Sequence, residues 1–273
     1  MLSLICVYND EKKLEKYLLS SLKEQTSPYD LVLIDNTKKE FKSAAEALNF
    51  GALKAKGDYF VFLHQDISFT SKQSLEKLEK ILQQLPQKVI IGPAGALQLD
   101  KKNSVVVTNI MHGEPPLYAG GYTGLKINAP YRVQTLDECM IVIPKEVFDI
   151  LKFDNIVCNG WHLYGVDYCI SASRMNIPIY AVPADVYHGS NGSNSMNNEY
   201  YNILKKVARK HRSSVDFLNT TTGCWPTSWL LLNIKIIKIF IKTFTYKFMN
   251  KFTIGRKVIE FRRNLKQRIE GDK

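Results

Sequence analysis

No glycine-rich phosphate loop is written into this chain. Neither GxGxxG nor GxxxxGK[ST] occurs, so a dinucleotide fold and a P-loop both lose their main support. A GxSxG nucleophile elbow is also absent. The five cysteines, at 6, 139, 158, 169 and 224, are odd in number and form no CxxC pair, which argues against a zinc knuckle or a disulfide framework. They read as reduced thiols packed as small hydrophobes. Gly (15) and Pro (10) are too few for a collagenous or low-complexity chain. The longest uncharged stretch of the C-terminal region, 224–234, falls well short of the roughly 18 residues of a spanning helix. The apolar N-terminus has no basic residues before it and no small-residue cleavage site after it, so it reads as a first strand rather than a targeting segment.

What is present is length and core. The 273 residues are 45% hydrophobic and 23% charged, enough for one large domain or two modest ones and incompatible with wholesale disorder. The net charge of +11 is unevenly placed. Residues 224–273 hold twelve Lys/Arg against three Asp/Glu, whereas residues 1–223 hold 25 against 23. A nearly neutral body therefore carries a basic tail, suited to nucleic acid, acidic lipid or an acidic partner.

Strand and helix patterns alternate through the first hundred residues. Apolar runs at 2–8, 31–34, 59–63 and 88–91 read as buried strands, and residues 10–25, 43–55 and 71–85 as the helices between them. This order implies parallel pairing through right-handed crossovers, an open α/β sheet with helices on both faces. Further on, residues 105–108, 138–143 and 179–182 read as strands. Residues 144–151, 166–175 and 199–211 read as helices, and 183–198 as a polar loop. Polar residues gather after the strands, at Tyr8-Asn9, Asp35-Asn36 and His64-Gln65-Asp66, and ligands of open α/β sheets bind outside those ends.

Each candidate has a plainer alternative at this stage. Asp66 is placed to hold a divalent metal or to cap the next helix. Asp35 suits a nucleobase or ribose, or an Asx turn with Asn36. His188 is either a structural imidazole or the completion of a metal shell. Asp167, in the first turn of a predicted helix, fits the helix dipole or a general base.

These positions together resemble the family 2 glycosyltransferases of the GT-A fold, over about residues 1–192. Four segments carry the likeness. Leu4-Ile-Cys-Val-Tyr-Asn9 is similar to the opening strand whose end contacts the nucleotide, and Leu33-Ile-Asp-Asn36 to the strand whose Asp reads the base. Asn49-Phe-Gly51, followed by Gly57-Asp-Tyr-Phe-Val-Phe-Leu-His-Gln-Asp66, looks like the Asn-x-Gly helix leading into the DxD strand. Trp161 to Asp167, with Tyr187-His188 beyond, is similar to the acceptor-side base and the carboxyl-side metal ligand. The DxD reads HQD here, as in a subgroup resembling a streptomycin-biosynthesis glycosyltransferase.

The resemblance implies a GT-A catalytic domain over 1–223, its nucleotide half about 1–98 and its acceptor half about 99–223. It implies an inverting, metal-dependent hexosyltransferase using a nucleotide-diphosphate sugar, UDP or dTDP favoured, on a glycan or lipid-linked acceptor in surface polysaccharide synthesis. Cys6, Val7, Tyr8, Asn9, Asp35, Asn49, Gly51, His64, Gln65 and Asp66 would bind the donor. Trp161 and His162 would face the acceptor, Asp167 would be the base, and Asp66 and His188 would hold Mg²⁺ or Mn²⁺. The HQD departure keeps a second reading open, a non-catalytic sugar-nucleotide-binding or scaffolding subunit.

The tail, residues 224–273, sets Lys235, Lys238 and Lys242 on one helical face with aliphatic residues around the rest, and Phe244, Tyr246, Phe248, Met249 and Phe252 continue it. This is the composition of an interfacial helix on the inner face of a membrane, or of a helix that packs on the body or on another subunit. Its apolar content argues against nucleic acid. The expected setting is cytoplasmic and peripherally membrane-associated, with homo-oligomerisation open.

Overall fold

A computed structural model describes residues 1–100, 103–112, 121–189 and 196–250. The chain divides into two compact units, Met1–Thr227 and Ser228–Lys273.

Among the described residues of the first unit, the main sheet has seven strands. Across it run β10 (Tyr131–Arg132), β13 (Ile179–Ala181), β5 (Ile90–Gly92), β12 (Met140–Pro144), β3 (Tyr59–Leu63), β1 (Leu2–Tyr8) and β2 (Tyr29–Asp35). β1 pairs in parallel with β2 and β3, and β13 with β5. β12 lies antiparallel between β3 and β5, and β10 is antiparallel to β13. Five strands thus share one direction and two oppose it, so the sheet is open and mostly parallel as expected. The reversal of β12 has no mark in the sequence, because an isolated buried run carries no direction.

Alternation along the strands sorts the core onto two faces. Leu2, Leu4 and Cys6 of β1 and Val61 and Leu63 of β3 pack with Leu14, Leu18 and Leu22 and with Leu75, Leu78 and Leu82. The first three leucines belong to the helical stretch 11–22, the second three to the helix Ser74–Gln84. On the other face, Phe60 and Phe62 stack edge-on and tilted with Phe148, Phe153 and Tyr168. The helix Ala44–Ala52 presses there with its small residues. A Cβ on Gly51 would come within 2.7 Å of Ile5 Cγ2. Asn49 ties this helix to the distant chain, donating to Phe153 O at 2.8 Å and accepting from Phe153 N at 3.1 Å.

Three smaller sheets complete the unit. β6 (Ala94–Gln98), β7 (Ser104–Thr108), β9 (Leu125–Lys126) and β11 (Thr135–Leu136) form one. β4 (Ile67–Phe69), β8 (Ile110–His112) and β14 (Val186–His188) form another, and β15 (Phe217–Thr220) and β16 (Gly223–Pro226) make a hairpin. β14 corrects the expectation of an unbroken polar loop over 183–198. Its Val186-Tyr187-His188 is one buried residue followed by two half-buried ones, too short to stand out by periodicity. The hairpin likewise draws Cys224–Pro226 into the first unit, so the expected boundary at 223/224 meets a structural one at 227/228.

The second unit is described as one helix, Trp229–Asn250. Leu230, Leu231, Ile237, Ile241 and Phe244 on it are exposed. No helix among the described residues is long and apolar enough to cross a membrane. Phe252 and the rest of the tail expected to continue this helix lie outside the described residues.

Candidate active site

The carboxyl ends of β1 and β3 and the start of β12 meet at one edge of the main sheet. β12 runs against β3 with Met140 opposite Leu63, so the residues before β12 lie beside those after β3. The backbone seals this junction, His64 N donating to Cys139 O at 2.9 Å. β14 then lies antiparallel to β4 with His188 opposite Ile67, and Gly189 N donates to Asp66 O at 2.9 Å. Register alone therefore brings His188 to Asp66, 122 residues away in sequence.

The result is a cluster of His64, Asp66 and His188 whose ligand atoms lie within 4.8 Å of one another. His188 Nε2 is 3.3 Å from Asp66 Oδ1, and Lys13 Nζ is 3.9 Å from Asp66 Oδ2. Burial alone would raise the Asp66 carboxyl. His188, His64 and Lys13 outweigh it and hold the group down at about 2. His188 is conversely raised: burial works against its charged form, and the Asp66 carboxylate more than compensates. His64 is lowered, first by burial and then by the charge of His188. Tyr164 Oη lies 3.3 Å from His64 Nε2 and donates to Glu138 O, fixing the ring from behind. Two imidazole nitrogens and an ionised carboxylate converging on one point fit a divalent metal.

Two clefts open on this cluster. The first, about 260 Å³, is lined by Val7, Tyr8, Asn9, Asn36, Ala44, Leu48, Leu63, His64, Gln65, Asp66, Trp161 and Tyr164. Gln65 braces its floor, accepting from the N–H groups of Asn9 and Asp10, both at 3.0 Å, and donating to Asn9 Oδ1 at 2.8 Å. The second, about 390 Å³, shares His64, Asp66 and Trp161 and adds Asp137, Glu138, His162, His188, Tyr200 and Thr220 to Thr222. The second volume falls in the range of small-molecule sites, and the first lies just below it.

Of the expected donor-side residues, Val7, Tyr8, Asn9, His64, Gln65 and Asp66 line the first cleft. Trp161, expected on the acceptor side, lines both clefts, and His162, expected beside it, lines the second. Four others do not reach a cleft wall. Cys6 is fully buried, and burial pushes its thiol far up, so it contributes packing. Asn49 and Gly51 are joints of the scaffold, as described above. Asp35 sits opposite Tyr8 at the sheet edge but is exposed. Its Oδ1 accepts from Thr37 N at 2.8 Å, the Asx turn, and this bond is the main reason its carboxyl is lowered. Its neighbour Asn36 is the residue that lines the cleft.

Asp167 requires a correction. Its side chain is 2% exposed and both oxygens are engaged, Oδ2 by Lys210 Nζ at 2.7 Å and Oδ1 by His211 Nε2 at 2.8 Å. It lines neither cleft. The helix Tyr164–Ser173 turns this residue toward the helix Asn198–His211, away from the sheet edge.

The cleft carboxyls are instead Asp137 and Glu138. Asp137 Oδ2 accepts from Thr221 Oγ1 at 2.7 Å and Oδ1 from Cys139 N at 3.0 Å. Burial opposes its charge, but His188, these two bonds and His64 leave it lowered. Glu138 is pushed up to about 8 by burial, against the two backbone N–H bonds it accepts from Leu163 and Gly165. Those bonds clamp Leu163, whose φ of 64° is left-handed and strained for a branched residue. The clamped turn directly follows Trp161 and His162. The available signal for Asp137 and Glu138 was an acidic pair before an apolar strand; only the reversal of that strand gives the pair a place at the site.

An open α/β sheet with a metal-competent HxD motif at its carboxyl edge, between two clefts, is the architecture of a GT-A glycosyltransferase. Residues 3–210 match the family described as "Glycosyltransferase like family", and the chain belongs to it. It is 23% identical over 162 residues, 58% of its length and 61% of the relative's, to "ATP synthase subunits region ORF 6" of Fuscovulum blasticum. Among solved structures it is similar to GalNAc-T7 with UDP, GalNAc and Mn²⁺ (15% identity, TM-score 0.54, 76% of this chain, 47% of that one). It is also similar to a mannosyltransferase of Pyrobaculum calidifontis with GDP-Man and Mn²⁺ (14%, TM-score 0.51, 78% and 64%). Full TarS of S. aureus compares likewise (14%, TM-score 0.51, 79% and 40%). The chain spans less than two thirds of each of these relatives. At such identities the structural likeness speaks for the fold.

Proposed function

We propose that this protein is an inverting hexosyltransferase that moves a sugar from a nucleotide-diphosphate donor to a hydroxyl of a glycan or lipid-linked acceptor, in surface polysaccharide synthesis. The observation that carries this reading is the His64–Asp66–His188 cluster at the junction of two clefts. One cleft then serves the donor and the other the acceptor. Val7, Tyr8, Asn9 and Asn36, with Asp35 at the rim, receive the nucleoside, UDP or dTDP favoured; the similar structures were solved with UDP and with GDP-Man.

His64, Asp66 and His188 would hold the metal, and two imidazoles suit Mn²⁺ better than the oxygen-seeking Mg²⁺. A bound divalent ion neutralises charge developing on the departing diphosphate. Lys13, beside Asp66, adds a second positive charge at that edge. Asp137 takes the role first expected of Asp167. Ionised and facing the second cleft, it accepts the proton of the attacking hydroxyl. The exposed apolar side chains of the helix Trp229–Asn250, with its lysines, serve peripheral contact with the inner membrane face.

The test is nucleoside diphosphate release from UDP-glucose, UDP-GlcNAc, dTDP-glucose and GDP-Man with Mn²⁺. Turnover of at least one donor, with the opposite anomeric configuration in the product by NMR, is expected. No release from any donor would overturn the proposal.

A further inference from the structure

The wall chemistry of the second cleft carries a statement about what enters it. Among the described residues lining it there is no Lys and no Arg. Three acidic residues, Asp66, Asp137 and Glu138, line it instead.

The rest of the wall is rich in hydroxyl groups. Thr222 Oγ1 lies 2.7 Å from Tyr200 Oη and 2.8 Å from Thr220 Oγ1, and Thr221 donates to Asp137. These groups form a chain along the turn of the β15–β16 hairpin, each able to donate or accept. Trp161, 39% exposed, gives the cleft a flat apolar face at its junction with the first.

Hydroxyls, a carboxylate acceptor and an indole plane match the hydroxyls and C–H face of a pyranose ring. They do not match an anion, which outside the His64–Asp66–His188 cluster would lose its hydration against a described lining without Lys or Arg and with the ionised Asp137 nearby. Resting on the glycosyltransferase reading above, we infer that the acceptor is an uncharged glycosyl unit, and that uronic acid and phosphate-bearing acceptors are rejected by the wall of this cleft.

The test is saturation-transfer NMR on the full chain with Mg²⁺ and either UDP or GDP. The probes are methyl glucoside, methyl galactoside, methyl mannoside and methyl N-acetylglucosaminide against methyl glucuronide and methyl glucoside 6-phosphate. At least one neutral glycoside should bind about tenfold or more tightly than either anionic probe, and Trp161→Ala should abolish its signal. Thr123 is exposed on the same wall, so Thr123→Lys leaves the fold intact and should narrow that gap by raising affinity for the anionic probes. Equal or tighter binding of an anionic probe overturns the inference, and so does an absence of binding by every neutral one. Donor turnover, measured in parallel, separates the two claims. Selective neutral binding without turnover of any donor leaves this inference standing and removes the catalytic reading.

Discussion

In the first cleft, the polar residues next to the metal cluster follow the ends of parallel strands; in the second, they precede an antiparallel strand or sit on a short antiparallel pair. Val7, Tyr8 and Asn9 come off the end of β1 and His64 to Asp66 off the end of β3, where apolar runs stop in polar residues. Asp137 and Glu138 stand before β12 and reach the same edge only because β12 opposes β3. His188 reaches it through the pairing of β14 with β4. One half of the site is therefore local in sequence and the other is a product of strand direction.

This contrast can be tested at its two carboxylates. Asp137→Asn should lower transfer by about 10²–10⁴-fold while leaving nucleotide binding nearly unchanged, as steady-state kinetics and titration would read. A large loss of nucleotide affinity instead would move Asp137 from the proton to the donor sugar. Asp167→Ala should act on folding, because it leaves the buried His211 without this partner, although Lys210 keeps Asp154 at 2.9 Å. A buried polar group left without its partner costs about 1–3 kcal/mol, visible in denaturant unfolding. A stable Asp167→Ala protein with no transfer activity would restore the base role to that residue.

Glu138 sharpens the comparison through pH. Its carboxyl is raised in the folded chain from the ordinary 4.5 to about 8, mainly by burial. The folded state then binds more protons than the unfolded state between those values, so stability is full below about 4.5 and falls as pH rises toward 8. The two backbone N–H bonds remain with the ionised form and moderate the loss. Glu138→Gln should flatten this decline in a series of thermal melts; an unchanged slope would assign it to another group. The smallest effect belongs to the scaffold of the nucleotide half. Gly51→Ala forces a Cβ to 2.7 Å from Ile5 and should cost about 1–3 kcal/mol of stability. Donor KM should not move, which separates a joint from a contact.

The legibility of the chain follows the same divide. Leu2–Tyr8 and Tyr59–Leu63 stand where their apolar runs place them, because strands buried on both faces are continuous in sequence. The helices Ala44–Ala52, Ser74–Gln84 and Asn198–His211 also lie within or close to their expected spans. β14 and the β15–β16 hairpin were hidden, being three or four residues long and stabilised by distant partners. Asp66 stood out by its place after a buried strand and His188 as an imidazole in a polar loop, but only the pairing of β14 with β4 brings the two together. Asp137 was missed because nothing local distinguishes a carboxylate before a parallel strand from one before an antiparallel strand. Asp167 was misplaced for a related reason: helical position says where along the chain a side chain sits, and only packing says that Lys210 and His211 occupy it.

If Asp66 anchors a metal-assisted diphosphate site, thermal unfolding of wild type and Asp66→Asn with UDP, dTDP and GDP, in Mn²⁺ and in EDTA, will show it. One diphosphate should stabilise the wild type in Mn²⁺, by about 2.7 kcal/mol at a hundred times its dissociation constant. EDTA and the Asp66→Asn substitution should each remove that gain. Stabilisation that persists in EDTA and in Asp66→Asn, or no stabilisation by any of the three, would contradict it.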